Sequence, residues 1–344
     1  MRKRNAEYEF IRVISMIMVI GVHAFSNVSA DYAAETLPGQ MISTVFFLCN
    51  GLFFMLSGKF ALSVNCCTWD DYKRYYLKRI GSIGIPALVC MMLRSMYNAC
   101  WWWGHILSVE FLKEYIQNVL YNFSSCEYWF LYHLVGYLVA APFIGKVLQR
   151  ANRAELILFT GIGVVYNGLA VYLSAAGYSS AWTYPLGSWF VLFALGYALE
   201  RILETKRQEN TLLLLGLLCF AVSILLKRLG LTAGIHDRAP TYVVMVCAAF
   251  IAIKRLYRSG KMTDAIIIRI GGLSLTVYLL HMIVLYTVLP YIPQWPVIPR
   301  LAALMMATVM SALVLSYVLD RTVFCVLLWV YRKVFGLSQA PVKK

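Results

Sequence analysis

Ten apolar runs, most of them close to the roughly 20 residues that a helix needs to cross a bilayer, decide what this chain can fold into. They lie at 10–28, 42–64, 80–99, 128–149, 154–175, 186–201, 211–229, 240–256, 266–288 and 300–327, and the sixth and eighth are the weakest. Inside hydrocarbon each backbone N–H and C=O must be satisfied within the structure itself, and for runs of this length that means helices. The expected fold class is therefore all-α, a polytopic membrane bundle of about ten transmembrane helices. Composition removes the soluble alternative: 61% of the residues are hydrophobic, 14% are charged and the mean hydropathy is +0.69. A soluble domain carries about 25% charged residues, so this chain lacks the polar surface to cover a globule of its size.

The formal net charge of +15 has two possible meanings, a nucleic-acid footprint or a topology signal, and its distribution separates them. With the N-terminal MRKR in the cytoplasm, the inner segments collect most of the 31 lysines and arginines. Outside fall Lys113, Lys227, Arg228, Arg238 and Arg300, and the bias fails only after the seventh run. That pattern predicts both termini in the cytoplasm and membrane lipids, with no nucleic acid, as the charge partners. The first run also imitates a signal peptide ending at Val28-Ser29-Ala30. Its length and its place in the charge alternation favour retention as a span. The nine cysteines show no C-x-x-C spacing, so no metal site is expected. Cys100 and Cys126 are the pair that could meet in the long outer loop, though free thiols are the favoured state. Walker, dinucleotide and zinc-protease motifs are absent, and the chain reads as a single transmembrane domain over 1–344 with no appended soluble domain.

Ionisable groups at membrane depth are costly and tend to face a bundle interior or a wet cavity. The first run holds Arg12 and His23. Eleven residues at 100° each end about 20° past three full turns and roughly 16 Å along the axis, so the two share one helix face. Snorkelling for Arg12 and a packing hydrogen bond for His23 are the bland alternatives. In the ninth run Ser274, Tyr278 and His281 follow i, i+4, i+7 spacing on one face, where interhelical packing is an equal reading. Trp129 and His133 share a face as well, and aromatic-belt packing is the simpler account of them. Arg94 has no carboxylate near it in sequence and either pairs with one from another helix or serves an oxyanion or acceptor. Trp101, Trp102, Trp103 and His105 open the long outer loop, most simply as interfacial residues. Val109, Leu112, Tyr115, Ile116, Val119 and Leu120 then form a helical apolar face suited to the membrane surface. Asp31 and Glu35 remain unassigned.

Several of these segments together resemble the acyltransferase family 3 integral membrane proteins. Arg12 and His23 meet the family's R-x10-H motif, and GLFFMLSGKF is similar to its FF-x-x-SG signature with Ser57 and Gly58 in place. YYLKRIGSIGIPALV resembles its basic segment before a proline in the third helix, although Ser82 stands where the family often has a second arginine. YWFLYHLVGYLVAAPFI is similar to the WFL helix, and LSLTVYLLH to the S-x-x-x-Y-L-x-H element. The five segments occur in family order over most of the chain.

The resemblance implies transfer of an acyl group, most often acetyl from acetyl-CoA, to hydroxyls of extracytoplasmic carbohydrate. Arg12, Lys59, Lys78 and Arg79 fall near the inner ends of the first three runs, where cations suit the phosphates of CoA. Positive-inside anchoring is the plain alternative for the last three. Acyl transfer needs a base and donors for an oxyanion. His23 is the leading base, with an acyl-histidine intermediate as the open alternative. His281 is a candidate to orient the acceptor or share the proton, and Tyr278 and Ser274 complete the site, with no metal. The expected protein is thus a multi-pass enzyme of the bacterial cytoplasmic membrane. It would acylate a carbohydrate or lipid-linked glycan of the cell envelope. The competing reading is a transporter or exporter of a glycan or small molecule through the same bundle.

Overall fold

A computed structural model describes residues 5–100, 108–121, 126–178, 189–230 and 239–337, and among them there are helices but no strand. In chain order these are α1 (Ala6–Glu35), α2 (Leu37–Ala61), α3 (Trp69–Arg79), α4 (Ile85–Asn98), α5 (Val109–Tyr121), α6 (Trp129–Arg150) and α7 (Arg153–Ala175). They continue with α8 (Phe190–Ile202), α9 (Lys206–Arg228), α10 (Pro240–Leu256), α11 (Lys261–Val288), α12 (Val297–Arg321) and α13 (Val323–Val334). A π-helical turn, Ile80–Gly84, joins α3 to α4 without a break. Several starts follow from local chemistry: Thr68 with Asp71, Asn152 with Glu155 and Thr205 with Gln208 form capping boxes that begin α3, α7 and α9.

Among the described residues eight helical stretches are long and apolar enough to cross a membrane, among them Trp69–Asn98 and Val297–Val334. The two weakest sequence runs correspond to α8 and α10, helices of 13 and 17 residues that fall short of that length. Their brevity has a cause in packing. Phe190, Val191, Leu192, Phe193, Ala194 and Ala198 of α8 are all buried, so the helix is walled by protein rather than by lipid. The last apolar run, expected as one span over 300–327, falls within the single candidate span Val297–Val334, in which Thr322 separates α12 from α13.

Contacts resolve the chain into two compact units. The α1 unit comprises Asn5–Asn65 and Leu134–Ile268, and the α11 unit comprises Cys66–His133 together with the chain from Arg269 onward. Within the α1 unit, α2 and α8 touch backbone to backbone. A Cβ on Gly58 would lie 1.7 Å from the Phe193 carbonyl oxygen, and one on Gly196 would lie 1.8 Å from that of Met55. Reciprocal glycines of this kind let helices approach closely where apolar burial alone gives no drive against lipid. At one end of this unit Gln149 donates to the carbonyls of Leu62 and Val64, at 2.7 and 3.1 Å. At the other end Lys227 donates to the Thr44 hydroxyl at 2.8 Å and Arg228 to the Glu35 carbonyl at 3.0 Å. These are two of the cations that break the charge bias after the seventh run, and they tie the end of α9 to α2 and to the end of α1.

In the α11 unit, α5 is turned opposite to a soluble amphipathic helix. Phe111, Glu114 and Asn118 are buried, while Val109, Leu112, Ile116 and Leu120 are exposed. Asn98 of α4 donates to Glu114 at 2.8 Å and Asn118 to the Ser95 hydroxyl at 3.1 Å. The polar side of α5 faces α4 and the apolar side faces outward, as expected of a helix seated against lipid. The preceding Trp101–Trp103 and His105 lie outside the described residues, as does the side chain of Cys126. The eight other cysteines are free, and no cluster of metal-ligating side chains occurs among the described residues.

Candidate active site

Helix α1 runs unbroken through both Arg12 and His23, so the common face inferred from their spacing holds. Between them Ser15 and Val19 are buried, and the Ser15 hydroxyl donates back to the Ile11 carbonyl at 2.8 Å. Arg12 lies 3.5 Å from the carboxylate of buried Glu9, one turn earlier, and keeps 30% of its side chain exposed. His23 is half-buried, and its backbone carbonyl accepts from Asn27 at 2.8 Å. The face therefore carries a partly exposed cation near its N-terminal end and an imidazole eleven residues further on.

Lys59 enters the same unit from the last turn of α2. It pairs with Glu200 of α8, which Lys254 of α10 also contacts, and the Tyr8 hydroxyl donates to the two carboxylate oxygens at 2.8 and 2.9 Å. Both lysine nitrogens stand 5.6 Å from the centre of the Tyr8 ring. Tyr8 precedes Arg12 by one turn, so Glu200 ties the N-terminal end of α1 to the C-terminal ends of α2, α8 and α10. Two ammonium groups on one carboxylate leave the cluster with a net positive charge. Gly58 sits in the α2–α8 contact, which gives the glycine of the SG pair a packing role. Sequence reading missed Glu9, Glu200 and Lys254. A carboxylate closing an apolar run, as Glu200 does, was the available signal.

In the α11 unit the ninth-run stripe is bound up in hydrogen bonds. Ser274 donates to the Gly271 carbonyl at 2.9 Å, and Tyr278 donates to the Glu127 carbonyl at 2.5 Å. Tyr128 returns a bond to the Leu279 carbonyl at 2.8 Å, so the segment before α6 is stitched to α11 in both directions. His281 is fully buried, and its Nδ1 faces the Tyr278 carbonyl. A carbonyl only accepts, which assigns the proton to Nδ1 and makes Nε2 the basic nitrogen. The Tyr278 and His281 rings stack at 5.7 Å. Arg94 resolves as one half of a buried ion pair: its Nε is 3.0 Å from Glu127, and its guanidinium lies over the rings of Tyr97 and Tyr286 at 5.7 and 5.4 Å. Glu127 and Tyr128 were missed because their partners are more than thirty residues away in sequence.

Lys78 and Arg79, in the last turn of α3, belong to this unit, with Lys78 exposed and Arg79 lying 5.2 Å over the Tyr75 ring. The structure thus groups Arg12, His23 and Lys59 in one unit, and Lys78, Arg79, Ser274, Tyr278 and His281 in the other. His133 is exposed, with Nδ1 3.0 Å from the Trp129 carbonyl and its ring edge-on to Trp129, a local packing arrangement.

An apolar helix bearing an arginine and a histidine on one face, inside an all-helical membrane chain, is what the family comparison explains. The profile of the acyltransferase domain family Acyl_transf_3 matches residues 5–319, nearly the whole chain. The chain belongs to this acyltransferase family. A relative from Bacillus subtilis (strain 168), named "Putative membrane-bound acyltransferase YfiQ", is 22% identical over 332 residues, covering 90% of this chain and 87% of that protein. No solved structure matches the chain. The family match takes in Arg12, His23, the α2 glycine contact and the whole of α11, so this is a multi-pass membrane acyltransferase.

Proposed function

We propose that the protein moves an acyl group, acetyl foremost, from cytoplasmic acyl-CoA to a hydroxyl of an extracytoplasmic carbohydrate or glycolipid in the bacterial cell envelope. The observation that carries this reading is the α1 face, with Arg12 and His23 separated by three helical turns in a family acyltransferase. Such a face suits a reaction whose charged donor and neutral acceptor come from opposite sides. The proposal includes ten crossings with both termini in the cytoplasm, α8 and α10 being the two short ones.

Arg12 holds donor phosphate by forked, charge-assisted hydrogen bonds, and the net positive cluster around Lys59 and Lys254 adds to the field there. Lys78 and Arg79 are the further cations proposed for the donor. In the transfer, the acceptor oxygen forms a bond to the thioester carbonyl carbon while His23 takes the hydroxyl proton. The carbonyl electrons move onto oxygen, then return as the C–S bond breaks, and the thiolate leaves and regains a proton. Products are the ester and free CoA. The competing order, in which His23 is acylated first, has the same balance. His281, held in one tautomer by the Tyr278 carbonyl, orients the acceptor, while Ser274 and Tyr278 fix α11 around it. Comparison of envelope glycans by mass spectrometry, from strains with and without the gene, tests the reading. A missing acyl mass in the deletion strain is expected, and identical glycans with altered uptake of a small solute would point to transport.

A further inference from the structure

Beyond the residues assigned to the reaction, one contact sits behind the basic segment of α3. The π turn Ile80–Gly84 follows Lys78 and Arg79 directly, with Ile85 N–H bonded to the Ile80 carbonyl five residues back. A π turn takes in one extra residue. Relative to an unbroken α-helix it rotates everything before it by about 100° against everything after it. The direction in which Lys78 and Arg79 leave the helix, seen from α4, therefore depends on this turn.

The turn has a partner in α13. The Tyr331 hydroxyl donates to the Leu77 carbonyl at 3.0 Å, and that carbonyl also receives the Ile80 N–H at the point where the register widens. Gly81, inside the turn, makes room for the Tyr331 ring: a Cβ there would lie 3.2 Å from the ring edge and 3.6 Å from Leu328. Phe335 packs on the other side of Tyr331 with ring centres 4.8 Å apart. All of these residues belong to the α11 unit.

We propose that Tyr331 is a positioning residue for acyl-donor binding: its hydroxyl and ring hold the π turn and so set the direction of Lys78 and Arg79 toward the donor phosphates. The inference rests on the donor role given to Lys78 and Arg79 above. Tyr331→Phe removes only the hydroxyl, and loss of one neutral hydrogen bond corresponds to an affinity loss of about three- to tenfold. Gly81→Val, which displaces the ring, acts in the same direction.

The experiment is a double-mutant cycle on acetyl-CoA affinity, measured by calorimetry in purified full-length protein with Tyr331→Phe, Arg79→Ala and the pair, and with Tyr331→Phe added to the Lys78→Ala and Arg79→Ala double variant. Positioning through the two cations predicts that Tyr331→Phe weakens binding alone, adds less once Arg79 is gone and adds nothing once Lys78 and Arg79 are both gone. Additive losses, or a Tyr331→Phe protein with parental affinity beside a weakened Arg79→Ala, overturn the positioning role. Parental affinity in Arg79→Ala, Lys78→Ala and their pair overturns the donor reading itself, and the proposal falls with it.

Discussion

In the α1 unit Arg12 and His23 stand on a partly exposed helix face, whereas in the α11 unit Arg94, Glu127, Tyr128, Tyr278 and His281 are sunk in the interior and bonded into one web. Arg12 keeps an open flank and His23 is half-buried. Arg94, Glu127, Tyr128, Tyr278 and His281 are all buried. Under the proposed function, the partly exposed face of α1 is where substrate is met and the buried web around α11 holds the frame.

The largest effect that tests this contrast concerns assembly. Gly58→Leu drives side-chain atoms into the Phe193 carbonyl and should leave no folded protein in the membrane. Gly161→Leu, where a Cβ meets nothing within 4 Å, should accumulate normally. Size-exclusion profiles of the two variants in mild detergent check this, and normal assembly of Gly58→Leu would remove the backbone contact as a determinant of the α1 unit. Next comes the buried pair. Arg94→Ala strands Glu127, and breaking such a pair costs about 3–5 kcal/mol. A large fall in the thermal midpoint is expected, and a stable but inactive Arg94→Ala would return Arg94 to the chemistry. Smaller still is Tyr278→Phe, which loses one hydrogen bond to a backbone carbonyl, about 0.5–1.5 kcal/mol of stability. Transfer should continue at a reduced rate. A loss of 100-fold or more in a stable protein would show that the Tyr278 hydroxyl serves the substrate.

Much of this arrangement was legible in the sequence, and particular residues show why. The apolar runs located the helices because lipid demands long apolar segments, and the 100° step placed Arg12 and His23 on one face without any tertiary information. What the sequence could not show was pairing across helices. Arg94 and Glu127 are 33 residues apart, and Glu200 meets Lys59 and Tyr8 across 141 and 192. No local periodicity carries such contacts. The helix division at Thr322 was not legible for a related reason, since VLDRTVFCVLLW is nearly continuous in hydropathy and the break is a backbone feature.

The central claim is that the two ends of one helix face divide donor binding from chemistry, and Arg12→Ala and His23→Ala measured side by side test it most directly. Acetyl-CoA affinity of purified protein by calorimetry is set against acetyl transfer in membrane vesicles supplied with envelope glycan. Arg12→Ala should weaken donor binding by about 10- to 150-fold, the equivalent of a charged hydrogen bond worth 1.5–3 kcal/mol, with Arg12→Lys recovering part of it. His23→Ala should bind acetyl-CoA as the parent does while transfer falls by about 10²- to 10⁴-fold. Equal loss of donor affinity in both variants, or undiminished transfer by His23→Ala, would contradict the account.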